Sequence, residues 1–170
     1  MTPTTILYVL FLIAFMVHDG EEIAVEHKWV MAHGDTVCTR FPKLRRLFNH
    51  LRQMSTKAFV IAVLEELVIL VAITVYALIG GSYGIELWSA AFMVFFIHLV
   101  VHVGQAIVVR RYVPGLVTSI LLLPFSYLGM KSLCDIFTPS QLLLYGVIGV
   151  AIMLPNLAFA HWIGMKLSKR

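Results

Sequence analysis

Apolar residues in this chain gather into runs long enough to cross a bilayer. Five can be separated, at residues 4–25, 58–79, 87–109, 114–133 and 141–167. Each is close to the ~20 residues that traverse hydrocarbon at about 1.5 Å per residue. Lipid offers the backbone no hydrogen-bond partners, so such runs predict helices. Gly80-Gly81-Ser82-Tyr83-Gly84 predicts a tight turn after the second run, and Pro114 and Pro139 open the fourth and fifth, where a missing N–H costs little. Residues 27–57 have a different pattern. Phe41, Leu44, Leu47, Phe48 and Leu51 recur at helical spacing among Arg40, Lys43, Arg45, Arg46 and Arg52. This predicts either a basic amphipathic helix lying on an anionic leaflet or a cytoplasmic loop containing a short helix.

Of 170 residues, 60% are hydrophobic and 13% charged, too few polar groups to cover a soluble core. The expectation is therefore an all-α integral membrane bundle of five transmembrane helices forming one domain, residues 1–170. Basic residues crowd the first loop, the Arg110-Arg111 loop and the tail, which sets an N-out, C-in topology with the amphipathic segment in the cytoplasm. A multi-pass protein of the bacterial inner membrane fits this pattern. The first run lacks a basic leader and an Ala-x-Ala site, so it is expected to remain as a span. Cys38 and Cys134 then fall on opposite sides of the membrane and form no disulfide. Trp29, Trp88 and Trp162, near run ends, read as interface anchors.

Inside these apolar runs stand His18, Glu21, Glu22, Glu65, Glu66, His98, His102 and His161. A charged Asp, Lys or Arg at a helix centre costs roughly 2.5 to 3.5 kcal/mol on insertion scales, so these side chains need partners, a metal or water. Measured from the middle of each run, His18, Glu65 and His102 lie roughly 6 Å, and His161 roughly 10 Å, toward the cytoplasm. One level of the bilayer thus receives them all. His18 and Glu22 are four residues apart, as are His98 and His102, so each pair shares a helix face. Glu65 and Glu66 are ~100° apart, so one of them faces the centre. Pro155 is expected to interrupt the fifth helix beside Asn156, a hydrogen-bonding residue placed to support the site. The fourth run, with Thr118, Ser119, Ser126 and Tyr127, reads as a wall that supplies no ligand. His33 and His50 read as surface residues of the basic loop, and Glu26 and His27 as the polar end of the first helix.

The run His18-Asp19-Gly20-Glu21-Glu22 reads His-x-x-Glu-Glu. In this, and in Glu65-Glu66, His98-x-x-x-His102 and Asn156 to His161, the chain resembles the HXXEE-domain family of small membrane proteins. That family has no established function, so the resemblance implies a site at these residues and names no reaction. A looser similarity is to intramembrane CAAX-type proteases, which also carry a Glu-Glu pair and later histidines. Their usual Arg four residues after the second Glu is Leu70 here.

The chemistry suggested is a membrane-embedded metal-dependent hydrolase of a lipid or other amphiphile. His18, Glu22, Glu65, His98, His102 and His161 are the candidate metal ligands, and Glu21 and Glu66 the candidate catalytic carboxylates. A divalent metal is the expected cofactor, zinc in preference to di-iron. The alternatives are a di-iron lipid oxidoreductase and a metal or proton transporter. Expected partners are membrane lipid, a lipid-like substrate and a second copy of the chain. The basic residues face anionic lipid and give no reason to invoke nucleic acid.

Overall fold

A computed structural model describes residues 3–169, with side chains from residue 5 onward. Six helices follow in order: α1 (Pro3–Arg40), α2 (Arg45–Gln53), α3 (Thr56–Leu78), α4 (Gly84–Val109), α5 (Leu116–Cys134) and α6 (Pro139–Leu167). The described residues include no strand. Four helices, α3 to α6, are long and apolar enough to cross a membrane, which makes this a multi-pass membrane protein. Local chemistry sets several of the ends. The Ser55 hydroxyl accepts the Ala58 N–H at the start of α3, and Thr138 and Gln141 form a reciprocal capping box ahead of Pro139 at the start of α6. The helix of α6 continues through Pro155 without the expected interruption.

The first helix differs most from expectation. Instead of ending near residue 25, α1 continues for 38 residues, roughly 57 Å at 1.5 Å per residue and well beyond the ~30 Å hydrocarbon core. No proline interrupts it until Pro42, which opens a 3₁₀ turn leading into α2. The extension is held by packing: Val30, Val37 and Cys38 are buried against Phe48 of α2, with Trp29 and Leu51 alongside. Arg52 ties α2 to α1 by donating to Asp35 at 2.6 Å. The basic amphipathic helix is therefore nine residues long and lays Phe48 and Leu51 toward α1, while Leu47, and Leu44 just before it, stay exposed.

The long helices close a ring: α1 on α3, α3 on α6, α6 on α4, α4 on α5, and α5 back on α1, with α3 also touching α4. Glycines permit the closest approaches of α6. A Cβ at Gly164 would collide with the Ala58 carbonyl oxygen of α3, and one at Gly149 would lie 2.7 Å from the Ala90 carbonyl oxygen of α4. Away from the site, Phe11, Trp88 and Phe92 interlock with ring centroids 5.1–5.4 Å apart. Trp88 is 0% exposed. It is a core residue, not an interface anchor, because the rings of Tyr8, Phe11 and Phe92 enclose it. Trp162 is exposed as an anchor would be.

Gly164→Val forces α6 away from α3 and is expected to destabilise the bundle by about 1–3 kcal/mol. Thermal unfolding in detergent measures this, with Gly104→Ala as the control because a Cβ there meets nothing within 4 Å.

Candidate metal centre

The site is assembled from two helix faces. On α1, His18 and Glu22 are one turn apart; on α4, His98 and His102 repeat that spacing. Ring packing brings the pairs together, and each of the four residues offers one ligand atom within 4.8 Å of the others. His102 Nε2 lies 3.0 Å from His98 Nε2 and 3.1 Å from Glu22 Oε1. The His18 ring is 5.0 Å from each of the other two, centroid to centroid. A tetrahedral zinc with bonds of about 2.0–2.1 Å needs ligand atoms roughly 3.3 Å apart; the two separations from His102 Nε2 are close to this, and the whole set lies within 4.8 Å, so these residues could hold one cation.

Proton counting on His18 gives the same answer. Glu21 accepts four hydrogen bonds, from the Tyr112 hydroxyl (2.6 Å), the Val117 N–H (3.3 Å), the Thr118 N–H (2.7 Å) and the Thr118 hydroxyl (2.6 Å). The single Thr118 hydroxyl proton is thus committed to Glu21. Toward His18 Nδ1, 3.0 Å away, Thr118 Oγ1 can only accept, so Nδ1 carries the proton and Nε2 keeps its lone pair. His18 Nε2 is buried with no hydrogen-bond partner, as befits a donor atom awaiting a cation. Fixing a ligand's tautomer through its far nitrogen is the usual outer support of a histidine metal site.

Glu21 therefore faces α5, not the interior. It satisfies free N–H groups at the start of that helix, where a negative charge is favoured. Burial, and the hydrogen bond to Glu21, push the Tyr112 phenol up, keeping it a donor. The loop carrying Tyr112 is pinned again by the Trp29 Nε1–H, which donates to the Tyr112 carbonyl at 2.8 Å. It ends at Gly115, whose φ of +77° and close approach to Glu22 Oε1 and a His102 ring atom, each 3.0 Å from a notional Cβ, leave no room for a side chain.

The other expected residues are placed differently. Glu66 lines a cavity of about 280 Å³ between α1, α3, α4 and α6, together with Asp19, Glu22 and His98. Its Oε1 is buried without a hydrogen-bond partner. Glu65 stands apart from the four-residue group and accepts from Asn156 Nδ2 at 3.3 Å. Asn156 and His161 line the same cavity from α6. His161 also lies outside the group, its Nδ1 3.1 Å from His50 Nε2 and the two rings stacked. His50 is thus engaged at the cavity's edge, and is no free surface residue. His27 Nδ1 pairs with the Met54 carbonyl at 3.0 Å, joining α1 to the α2–α3 connection.

The chain matches the family model described as protein of unknown function with HXXEE motif over residues 9–128. It belongs to that family. No curated protein and no solved structure matches the chain significantly. The HXXEE match contains His18, Glu22, His98 and His102 and ends before α6, so Asn156 and His161 lie outside the matched stretch. Within the motif itself, His18 and Glu22 turn to the centre while Glu21 turns outward to brace His18 through Thr118.

Two residues of the site are missing from the expected set, only one of which the hydropathy pattern hides. Thr118 is legible in the sequence only as part of a wall, because a hydroxyl is cheap in a span and its partners lie on α1. Asp19, 5% exposed and lining the cavity, is a carboxylate within an apolar run and is detectable by the same cost argument as its neighbours. Thr118→Val removes the acceptor that holds His18 and is expected to weaken metal binding about 10–100-fold. Chelator competition measures the change, and Thr118→Ser should restore most of the affinity.

Proposed function

We propose that this protein is a membrane-embedded, metal-dependent hydrolase acting on a lipid or related amphiphile from the cytoplasmic half of the bilayer. The observation that carries the reading is the joining of one His₃Glu group to an apolar cavity with a carboxylate in its wall, Glu66, whose Oε1 is buried without a hydrogen-bond partner. Three imidazoles and one carboxylate form a nitrogen-rich set that suits zinc better than a carboxylate-rich di-iron pair. Among the described residues there is one such group, which favours a single metal. In this topology α1 supplies a fifth span from its N-terminal part, with the N-terminus outside and the basic α2 against the cytoplasmic leaflet.

A divalent cation here would act as a Lewis acid toward a carbonyl or phosphoryl oxygen and sharpen the acidity of water. The chain's own residues supply the rest. His18 is fixed by Thr118 and Glu21. His98, His102 and Glu22 set the position of the reacting centre. Glu66, facing the cavity, takes the proton of the attacking water and returns it to the leaving group. The apolar wall excludes bulk water and admits the chain of an amphiphile.

The test is metal analysis of detergent-purified protein alongside assays of acyl release from a panel of lipid esters. Stoichiometric zinc, with hydrolysis abolished by chelation and restored by zinc, supports the reading. Metal-free protein with full activity would sink it, as would metal or proton flux in vesicles with no hydrolysis of any ester.

A further inference from the structure

We propose that the cavity between α1, α3, α4 and α6 holds one straight acyl chain in one orientation. Its polar end lies at Glu22 and His98, and its methyl end lies among Phe11, Ile73 and Leu87. The proposal rests on the hydrolase reading for what the polar end carries, but the chain site itself is accessible to a binding measurement.

The polarity of the lining runs in one direction. Its ionisable and amide side chains, Asp19, Glu22, Glu66, His98, Asn156 and His161, are gathered toward one end. From there to the far end only carbon-rich side chains line it, including Phe15, Leu70, Ala91 and Val94. An apolar cavity of this kind is unattractive to water. In a bilayer the filler at hand is a hydrocarbon chain.

The length of the lining sets the size of that chain. From Leu87 to His98 on α4, and from Phe11 to Glu22 on α1, the axial rise is roughly 16 Å, the length of an extended chain of on the order of a dozen carbons. The cavity, about 280 Å³ in volume, runs the length of that rise between α1, α3, α4 and α6.

The bilayer environment determines how selection works. A tail leaving the bilayer for the cavity exchanges one hydrocarbon surrounding for another, so extra methylenes bring little hydrophobic gain. Preference must then come from shape, with binding passing through a maximum as the chain reaches Phe11, Ile73 and Leu87. Ala91, two turns from His98 and roughly 10 Å along the axis, is the position from which a larger side chain would shorten the slot.

The experiment is photo-crosslinking of detergent-purified protein with straight-chain fatty acids of graded length, carrying a diazirine either at the terminal carbon or beside the carboxyl group. The terminal probe should label segments containing Phe11, Ile73 and Leu87, and the carboxyl-side probe segments around His98 and Asn156. Labelling should peak near a dozen carbons, the chain length that matches a lining about 16 Å long. Ala91→Phe should move the peak several carbons shorter, and Ala91→Leu, a smaller insertion that guards against misfolding, by less. Identical labelling by both probes, labelling confined to the outer face of α5, or a length profile unmoved by either variant would overturn the proposal. The two readings can fail separately: ordered labelling without ester hydrolysis sinks only the enzyme, and hydrolysis with disordered labelling sinks only the chain site.

Discussion

Replacing His98 or His102 with alanine is expected to abolish stoichiometric metal binding while leaving the helical bundle intact. Structural zinc sites bind with apparent free energies of about 10–16 kcal/mol, so one ligand in four represents roughly 3 kcal/mol, or a ~100- to 1000-fold loss of affinity. The effect should be nearly as large at either position, because His102 Nε2 is 3.0 Å from His98 Nε2 and 3.1 Å from Glu22 Oε1, and removing one nitrogen opens the set on that side. Metal analysis after gel filtration, with far-UV circular dichroism as the fold control, measures this. His161→Ala, outside the group and stacked on His50, should retain metal. Loss of metal from His161→Ala together with its retention in His98→Ala would place the centre elsewhere.

The second large effect is expected on turnover. Glu66→Gln keeps the shape of the side chain but removes its basicity, and loss of a general base typically lowers the rate about 10²–10⁴-fold. Metal content should be unchanged, since Glu66 lies outside the four-residue group. Glu65→Gln is expected to do less, because its carboxylate accepts from Asn156 and a glutamine can retain that hydrogen bond through its own carbonyl. Rates measured on metal-loaded variants in one detergent make the comparison. If Glu66→Gln keeps full activity and Asp19→Asn loses it, the proton is handled from α1.

The pairs that matter most are legible in the amino-acid sequence. A spacing of four residues places two side chains on one helix face whatever surrounds it, so His18 with Glu22 and His98 with His102 follow from helix geometry alone. Their cost in hydrocarbon implies that they meet, and the two pairs do converge. Glu21 shows where this reasoning ends. It is three residues from His18 and looks equally eligible, yet it caps α5, and only the position of that helix against α1 decides so. The exchange of His161 for a pairing with His50 has the same origin, because α2 folds back toward α6 through contacts no local pattern encodes.

By itself, the sequence determined the elements and the chemistry available. Apolar runs in a solvent without hydrogen bonds must be helical, and ionisable groups within them must be paired. Helix spacing then set which residues act together. Tertiary structure decided the length of α1, the burial of Trp88, the contacts of Thr118 and the cavity beside the His/Glu group. Those depend on the rotation of each helix about its axis, which turns ~100° per residue and is set by close packing at positions such as Gly149 and Gly164, far along the chain from the groups they bring together.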